Sequence, residues 1–348
     1  MKRFSILIAA LCLCLTGCGK QITEAAAQIF AMDTVMEVTA YGEHAEQAVK
    51  YTEKRIEELE NRLSRTKAHS LVSGLNRDGS IRHLTYDYWN LIARAKEYRD
   101  ATNGAFDITI APIMDAWGFT GDQFRVPEQS ELNELLKHVN SDEIQVQEEP
   151  SYSVTLGEGQ AIDLGGIAKG YTSDLVEQTF RANGIESGKI SLGGNVFVLG
   201  GKPDGSDWRG IKDPRNESGL AAILSLRDAY AITSGGYERY FEENGKTYHH
   251  IIDPATGYPS DSGLLSVTVV AADNGPDWAG AGNGAMCDAF STALFVMGEE
   301  QALDFWRNGG YDFDLVLVTE DGRVVITAGL ADRFEEVKDS GYTYETVS

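Results

Sequence analysis

Two kinds of apolar spacing run through this chain, and the order in which they occur constrains the fold more than any other feature. Ala45, Ala48, Val49, Thr52, Ile56, Leu59 and Leu63 recur at the spacing of one helix face, and Leu91, Ile92, Ala95 and Tyr98 repeat it before Asn103-Gly104. Both stripes predict surface helices packed on a sheet. Pro127 with Glu128 and Glu131 opens a shorter helix ending near Val139, and Ser173 to Ala182, closed by Gly184, is another. Strand-like runs are Lys189 to Leu192, Val196 to Leu199, Leu264 to Ala271, and Asp314 to Thr319 with Arg323 to Thr327, the last two joined by a turn at Asp321-Gly322. Helices and strands mix without a regular βαβ rhythm. The pattern predicts an α+β fold, a single mixed domain with room for two lobes, and argues against a doubly wound Rossmann sheet.

The N-terminus reads as an export signal. Lys2 and Arg3 precede an apolar run from Phe4 to Leu15, twelve residues long, against the ~20 that a spanning helix needs. Leu15-Thr16-Gly17-Cys18 then places small residues before a cysteine, the arrangement of a lipoprotein cleavage site. Residues 1–17 are expected to be a signal peptide, with lipid carried on Cys18. Residues 18–29 would be the lipidated N-terminus and a polar, Ala-rich tether, and residues 30–340 the functional domain. Of the four cysteines, Cys12 and Cys14 would leave with the signal and Cys18 would carry lipid, so Cys287 is left without a disulfide partner. The core must hold the fold unaided. The expected address is extracytoplasmic, anchored by lipid to a bacterial membrane.

Beyond the signal, 28 basic residues face 53 acidic ones, a net charge of −25. That balance disfavours nucleic acid or an anionic lipid surface as partner. An anionic substrate would need a local remedy such as a metal ion or a helix N-terminus.

Four segments carry chemistry-bearing residues. Ala161-Ile-Asp-Leu-Gly-Gly-Ile-Ala-Lys-Gly170 reads as an apolar strand, a glycine turn and a helix. Glycines there admit a close ligand, the helix offers N–H groups to phosphate, and Lys169 adds a full charge. A plain strand-to-helix turn has the same spelling. Asp288-Ala-Phe-Ser-Thr292 sets a carboxylate and a hydroxyl on one helix face, oxygen donors that suit Mg²⁺ completed by substrate and water, or equally a back-bonded helix start. Thr247 to Pro259 brings His249 and His250 into a strand running to an Asp253-Pro254 turn. His250 could take a proton from a hydroxyl, or be a partly buried strand residue. Thr102 to Pro112, with Gly104, Phe106 and Asp107, reads as a loop entering a strand.

Taken in order, these segments resemble the ApbE family, the FAD:protein FMN transferases. The resemblance runs through Phe30-Ala-Met-Asp-Thr34, Gly104-Ala-Phe-Asp107, Asp163 to Gly170, Ser191-Leu-Gly-Gly-Asn195 and Trp208 to Pro214. It continues through Thr233-Ser-Gly and His249 to Pro254 to Asp288 to Gly298, nearly the whole chain beyond the signal. It implies that FAD lies with its diphosphate at the Asp163–Gly170 turn, touched by Met32, Ala105, Phe106, Asp107, Asp163, Lys169 and Ile252. It implies Mg²⁺ on Asp288, Thr292 and the main-chain oxygen of Gly166, with Lys169 and His250 as catalytic groups. A threonine or serine hydroxyl of a target protein would attack the FMN-side phosphorus, releasing AMP. The expected partners are FAD and exported or membrane-bound redox proteins that accept flavin.

Three positions depart from the family's pattern. Thr66 stands where an aromatic residue is common, His69-Ser-Leu71 replaces an Asp-Ser-Glu, and Ser291 replaces an acid found near the metal in some members. Two other functions would use the same residues, an FAD diphosphatase giving free FMN and AMP, or a flavin-binding lipoprotein without catalysis.

Overall fold

Residues 22–121, 123–273, 275 and 282–348 are described by the computed structural model. Its frame is a nine-stranded sheet whose spatial order is the order of the chain. The strands are β1 (Glu24–Ala31), β2 (Thr34–Tyr41), β3 (Ser187–Leu192), β4 (Asn195–Leu199), β5 (Ala229–Gly235), β6 (Leu264–Ala272), β7 (Asp314–Thr319), β8 (Arg323–Thr327) and β9 (Thr343–Val347). Neighbours are antiparallel except β8 and β9. The mixed α+β reading therefore holds, and no βαβ crossover sheet is built.

Helices α1 (Ala45–Leu63), α2 (Leu71–Asp78), α3 (Tyr86–Ala101), α4 (Ala111–Trp117), α5 (Gln129–Leu135) and α6 (Ala168–Ala182) fall between β2 and β3. Between β6 and β7 come α7 (Asn283–Met297) and α8 (Glu299–Asn308). The face that α1 buries is the one its spacing predicts, Ala45 through Leu63, and it lies on β1 and β2. α3 meets a sheet as its stripe predicts, but a small one, at the strand Gln145–Gln147 of a separate three-stranded sheet. It also packs on α7, with Tyr98 edge-on to Phe290 at 5.2 Å between ring centres, because α7 is apolar around most of its circumference and occupies the main sheet's face itself.

Both faces of the sheet are covered. Val267, Val269, Leu315 and Leu317 point into a core shared with α1, α6 and α7. Val270, Val316 and Val318 point the other way, into a second core closed by the strands Trp208–Asp213 and Asn216–Leu226 and by Leu330. An antiparallel sheet buried on both sides explains why its central strands spell almost continuous apolar runs. A third, smaller cluster gathers Ile113, Trp117, Phe119, Leu132 and Ile252 beside the site.

Three local expectations are corrected. The tether does not extend to residue 29: Glu24–Ala31 pairs along its whole length with β2, and its exposed and half-buried positions alternate as in a half-covered strand. Alanine-rich polar text simply carries little strand signal. α6 starts at Ala168 rather than Ser173, and the stretch before it, 161–164, is not a paired strand. Residues 105–107 lead not into a strand but into a single 3-10 turn, Ile108–Ile110, and then α4.

Candidate active site

The turn ahead of α6 is built by a side chain. Asp163 Oδ1 accepts the Gly165 N–H at 2.8 Å, and its own N–H donates to Ile108 O at 2.7 Å. Arg65, at the end of α1, spans from this turn to α4: it donates to Asp163 Oδ2 (3.2 Å), Asp115 Oδ2 (2.7 Å), Thr120 Oγ1 (2.7 Å) and Ala111 O (3.3 Å). The result is an exposed Gly165 and half-exposed Gly166 just before α6, where Leu164 O takes the Ile167 and Ala168 N–H groups, Asp288 takes that of Gly170, and Lys169 stands in the first turn.

α7 crosses α6 at closest backbone approach. A Cβ on Gly170 would overlap Gly284 O and stand 2.6 Å from Asp288 Cβ, so Gly170 is needed for packing rather than for a turn. That approach lets the Gly170 N–H donate to Asp288 Oδ2 at 2.8 Å, while Asn195 Nδ2 from β4 donates to Oδ1 at 2.9 Å. Asp174, one turn further along α6, accepts the N–H groups of Gly282, Gly284 and Ala285 and so caps the start of α7 from the neighbouring helix. Desolvation pushes its carboxyl up to about 7.

Thr292 lies one turn after Asp288. Its hydroxyl reaches Asp288 O (3.2 Å) and Ser234 Oγ of β5 (3.2 Å), and Ser234 also meets Ser291 (2.8 Å). A Cβ on Gly166 would stand 3.5 Å from Thr292 Oγ1 and 3.1 Å from the Phe106 ring. Gly166, Asp288 and Thr292, distant in sequence, are thus neighbours. The set is all oxygen, and beside it the buried Asn195 Oδ1 has no hydrogen-bond partner among the described residues. A hard cation fits that donor chemistry. Among the described residues no group of three or more His, Cys, Asp or Glu forms a metal cluster, since Asp288 is the only such side chain in this set.

The two histidines part company. His249 Nε2 meets Ser260 O at 3.0 Å, and its ring sits edge-on to Phe295. His250 Nδ1 lies 3.1 Å from Arg239 O, so this nitrogen carries the proton and Nε2 is left as an acceptor. Burial, with the Lys169 ammonium nearby, pushes its pKa down to about 3. Asp253 does not serve either ring; it closes its own turn through Ala255 N and Thr256 Oγ1. The turn after β5 brings in Glu238, whose carboxyl is pushed up to about 7 by desolvation and Asp288, against Lys169 and Lys212.

The remaining expected contacts are spread around this centre. Met32 and Asp33 form the two-residue β1–β2 turn at φ of 50° and 58°, values that such turns usually fill with Asn-Gly. Thr172 Oγ1 of α6 is 3.8 Å from Met32 Sδ. Phe106 is buried as the floor under Gly166, beside a half-buried Ala105. The buried Asp107 carboxylate is engaged by Thr109 N (2.8 Å), Thr109 Oγ1 (2.6 Å), Ser141 N (3.0 Å) and Ser141 Oγ, with Arg99 Nε 3.6 Å away. Ile252 is buried against the Trp117 cluster and bridges to Pro259. Spacing singled out none of Arg65, Asn195, Ser234 or Glu238. Asn195 and Ser234 stand inside segments that matched a family pattern, the one signal that could have flagged them.

The ApbE family profile matches residues 32–315, most of the chain. The chain belongs to the ApbE family. Among curated ApbE relatives, the FAD:protein FMN transferase of Klebsiella pneumoniae is 33% identical over 294 residues, covering 82% of this chain and 86% of that protein. The one from Treponema pallidum is 31% identical, covering 83% and 82%. The ApbE protein of Thermotoga maritima superposes with a TM-score of 0.81 at 30% identity, covering 90% of this chain and all of that one. The apo flavinyl transferase ApbE of Pseudomonas stutzeri gives 0.76 at 26%, covering 90% and 97%. The ApbE match opens on Met32 and takes in every expected site residue except Cys18. Cys18 and the signal segment 1–17 lie outside the described residues.

Proposed function

We propose that this chain is an FAD:protein FMN transferase that moves FMN from FAD to a threonine or serine hydroxyl of a target protein and releases AMP. The observation that carries the reading is the crossing of α6 and α7, which sets Gly166 and Lys169 beside Asp288 and Thr292. FAD would place its diphosphate on the Gly165–Gly166 turn and the α6 N-terminus, with Met32, Ala105, Phe106, Asp107, Asp163 and Ile252 around it.

Asp288, Thr292 and the Gly166 carbonyl would hold Mg²⁺, which when bound would offset negative charge on the phosphoryl oxygens. Lys169 adds a cation from the helix start, at the place where a strongly acidic chain most needs one. His250 accepts the hydrogen bond of the incoming hydroxyl on Nε2, its ring fixed by Arg239 O. Because burial and Lys169 oppose its protonation, it orients the hydroxyl without keeping the proton. Exported redox proteins are the acceptors this reading requires, met at a membrane where lipid on Cys18 holds the enzyme; the n-region, apolar run and Leu15–Cys18 sequence support that address.

The test uses the chain from residue 19, FAD, Mg²⁺ and an acceptor carrying the target threonine. AMP and an FMN-bearing acceptor should form in equal amounts. Free FMN in place of the adduct would make it a diphosphatase, and intact FAD a binding protein.

A further inference from the structure

Asp288 is the only carboxylate in the set Gly166, Asp288 and Thr292, and the protein grips both of its oxygens. The Gly170 N–H of α6 donates to Oδ2 at 2.8 Å, and Asn195 Nδ2 of β4 donates to Oδ1 at 2.9 Å. Asp288 and Asn195 are both buried, so solvent does not compete for either bond. Neither donor carries a charge. A neutral N–H turns a carboxylate without cancelling its charge, whereas a lysine or arginine at 195 would compete with a dication for it.

Asn195 opens β4, and the sheet fixes its main chain from both sides, opposite Leu192 of β3 and Ile232 of β5. Its other amide atom, Oδ1, is buried without a hydrogen-bond partner among the described residues. A buried acceptor with no donor costs stability, and a valine would suit the strand without that cost. What the amide does in return is the one bond it makes, to Asp288. Thr292, the other side-chain donor on α7, is met in a similar way by Ser234 Oγ of the neighbouring strand β5, at 3.2 Å. Adjacent strands of the main sheet thus aim both side chains.

We propose that Asn195 is a positioning residue, an amide that holds the Asp288 carboxylate in the orientation in which it takes Mg²⁺. The inference rests on the reading of Gly166, Asp288 and Thr292 as a cation site. Asn195 acts through Asp288 alone: with the amide gone, the carboxylate keeps only the Gly170 N–H and is free to turn about it. The cost falls on metal affinity, because a ligand that must be ordered at the moment of binding binds more weakly than one already held.

The test is made on the full domain with Mg²⁺ as the probe, by calorimetry with and without FAD and by the thermal midpoint. Asn195→Ala and Asn195→Val, the second filling nearly the same space in case the first does not fold, should weaken Mg²⁺ affinity by about 10–100-fold. Both should bind FAD in Mg²⁺-free buffer as the native protein does. The Mg²⁺ concentration for half-maximal transfer should rise by the same factor, and kcat at saturating Mg²⁺ should return to within a few-fold of native, a recovery that general damage to the fold would not permit. In an Asp288→Ala background, adding Asn195→Ala should leave residual turnover nearly unchanged, since the amide then has nothing to hold. Native Mg²⁺ affinity in a folded Asn195 variant, an equal loss in the Asp288→Ala background, or the unfolding of both variants overturns the proposal. Failure of the native protein to bind Mg²⁺ would instead sink the cation reading.

Discussion

His250 shows how a single residue links site chemistry to stability. In the unfolded chain a histidine protonates near 6.5, whereas in the fold burial and Lys169 hold His250 neutral to about 3. Between those values the unfolded chain binds the extra proton, so the stability His250 contributes is complete above pH 6.5 and is lost as pH falls toward 3. His250→Phe, which keeps a ring against Phe119, should lose less stability than the native protein between pH 7 and pH 5 in urea titrations. Equal losses would contradict the burial argument. At Asp288, where the carboxylate joins Gly170, Asn195 and the expected cation, Asp288→Ala should cut AMP release by about 100-fold or more and abolish any rise in thermal midpoint caused by Mg²⁺. The pairing of Asp288 with Thr292 was legible because it lies within one helix, where spacing alone decides the face. Asn195 and Ser234 were not, because they arrive from strands far away in the chain and no local period encodes such a meeting.

At the scale of elements, the crossing of α6 and α7 decides whether there is a site. Gly170→Ala would force a methyl into Gly284 O and Asp288 Cβ, and overpacking of this kind costs about 1–3 kcal/mol. A drop of that size in chemical denaturation, together with weaker Mg²⁺ binding, is the expected outcome; an unchanged midpoint would mean that the helices are not so close. This crossing also explains where element prediction erred. A glycine inside a helix lowers its apparent propensity, so the spelling Gly165-Gly166…Gly170 read as a longer turn, and α6 was expected five residues late. α1 and the β7–β8 hairpin, by contrast, were legible to the residue or nearly so. Their partners are contiguous apolar faces and a three-residue turn, which local patterns encode fully.

Across the whole molecule, a sheet laid down in chain order holds the site at one end, where the turns at Met32–Asp33 and Gly193–Gly194 and the exit of β5 come together. Mixed α+β architecture was legible from irregular alternation, but strand order was not, since long insertions of helices separate β2 from β3 and β6 from β7. The acidic surface leaves Lys169 and Arg65 as the basic side chains placed nearest the turn, one open to a ligand and one committed to Asp163 and Asp115. The proposed address makes its own prediction: Cys18→Ser should move the protein from the membrane fraction to the soluble one while leaving turnover in detergent-free buffer unchanged. Retention in the membrane would contradict lipid anchoring at that residue.

An FMN transferase, unlike a flavin-binding protein or a diphosphatase, leaves FMN covalently on its acceptor. Mass spectrometry of an acceptor protein incubated with the domain, FAD and Mg²⁺ tests it most directly. The acceptor should become heavier by one FMN phosphoester at its threonine, with one AMP released for each, and adduct formation should fall by about 100-fold or more when Asp288 is alanine. An acceptor of unchanged mass, with FMN free in solution, would contradict it.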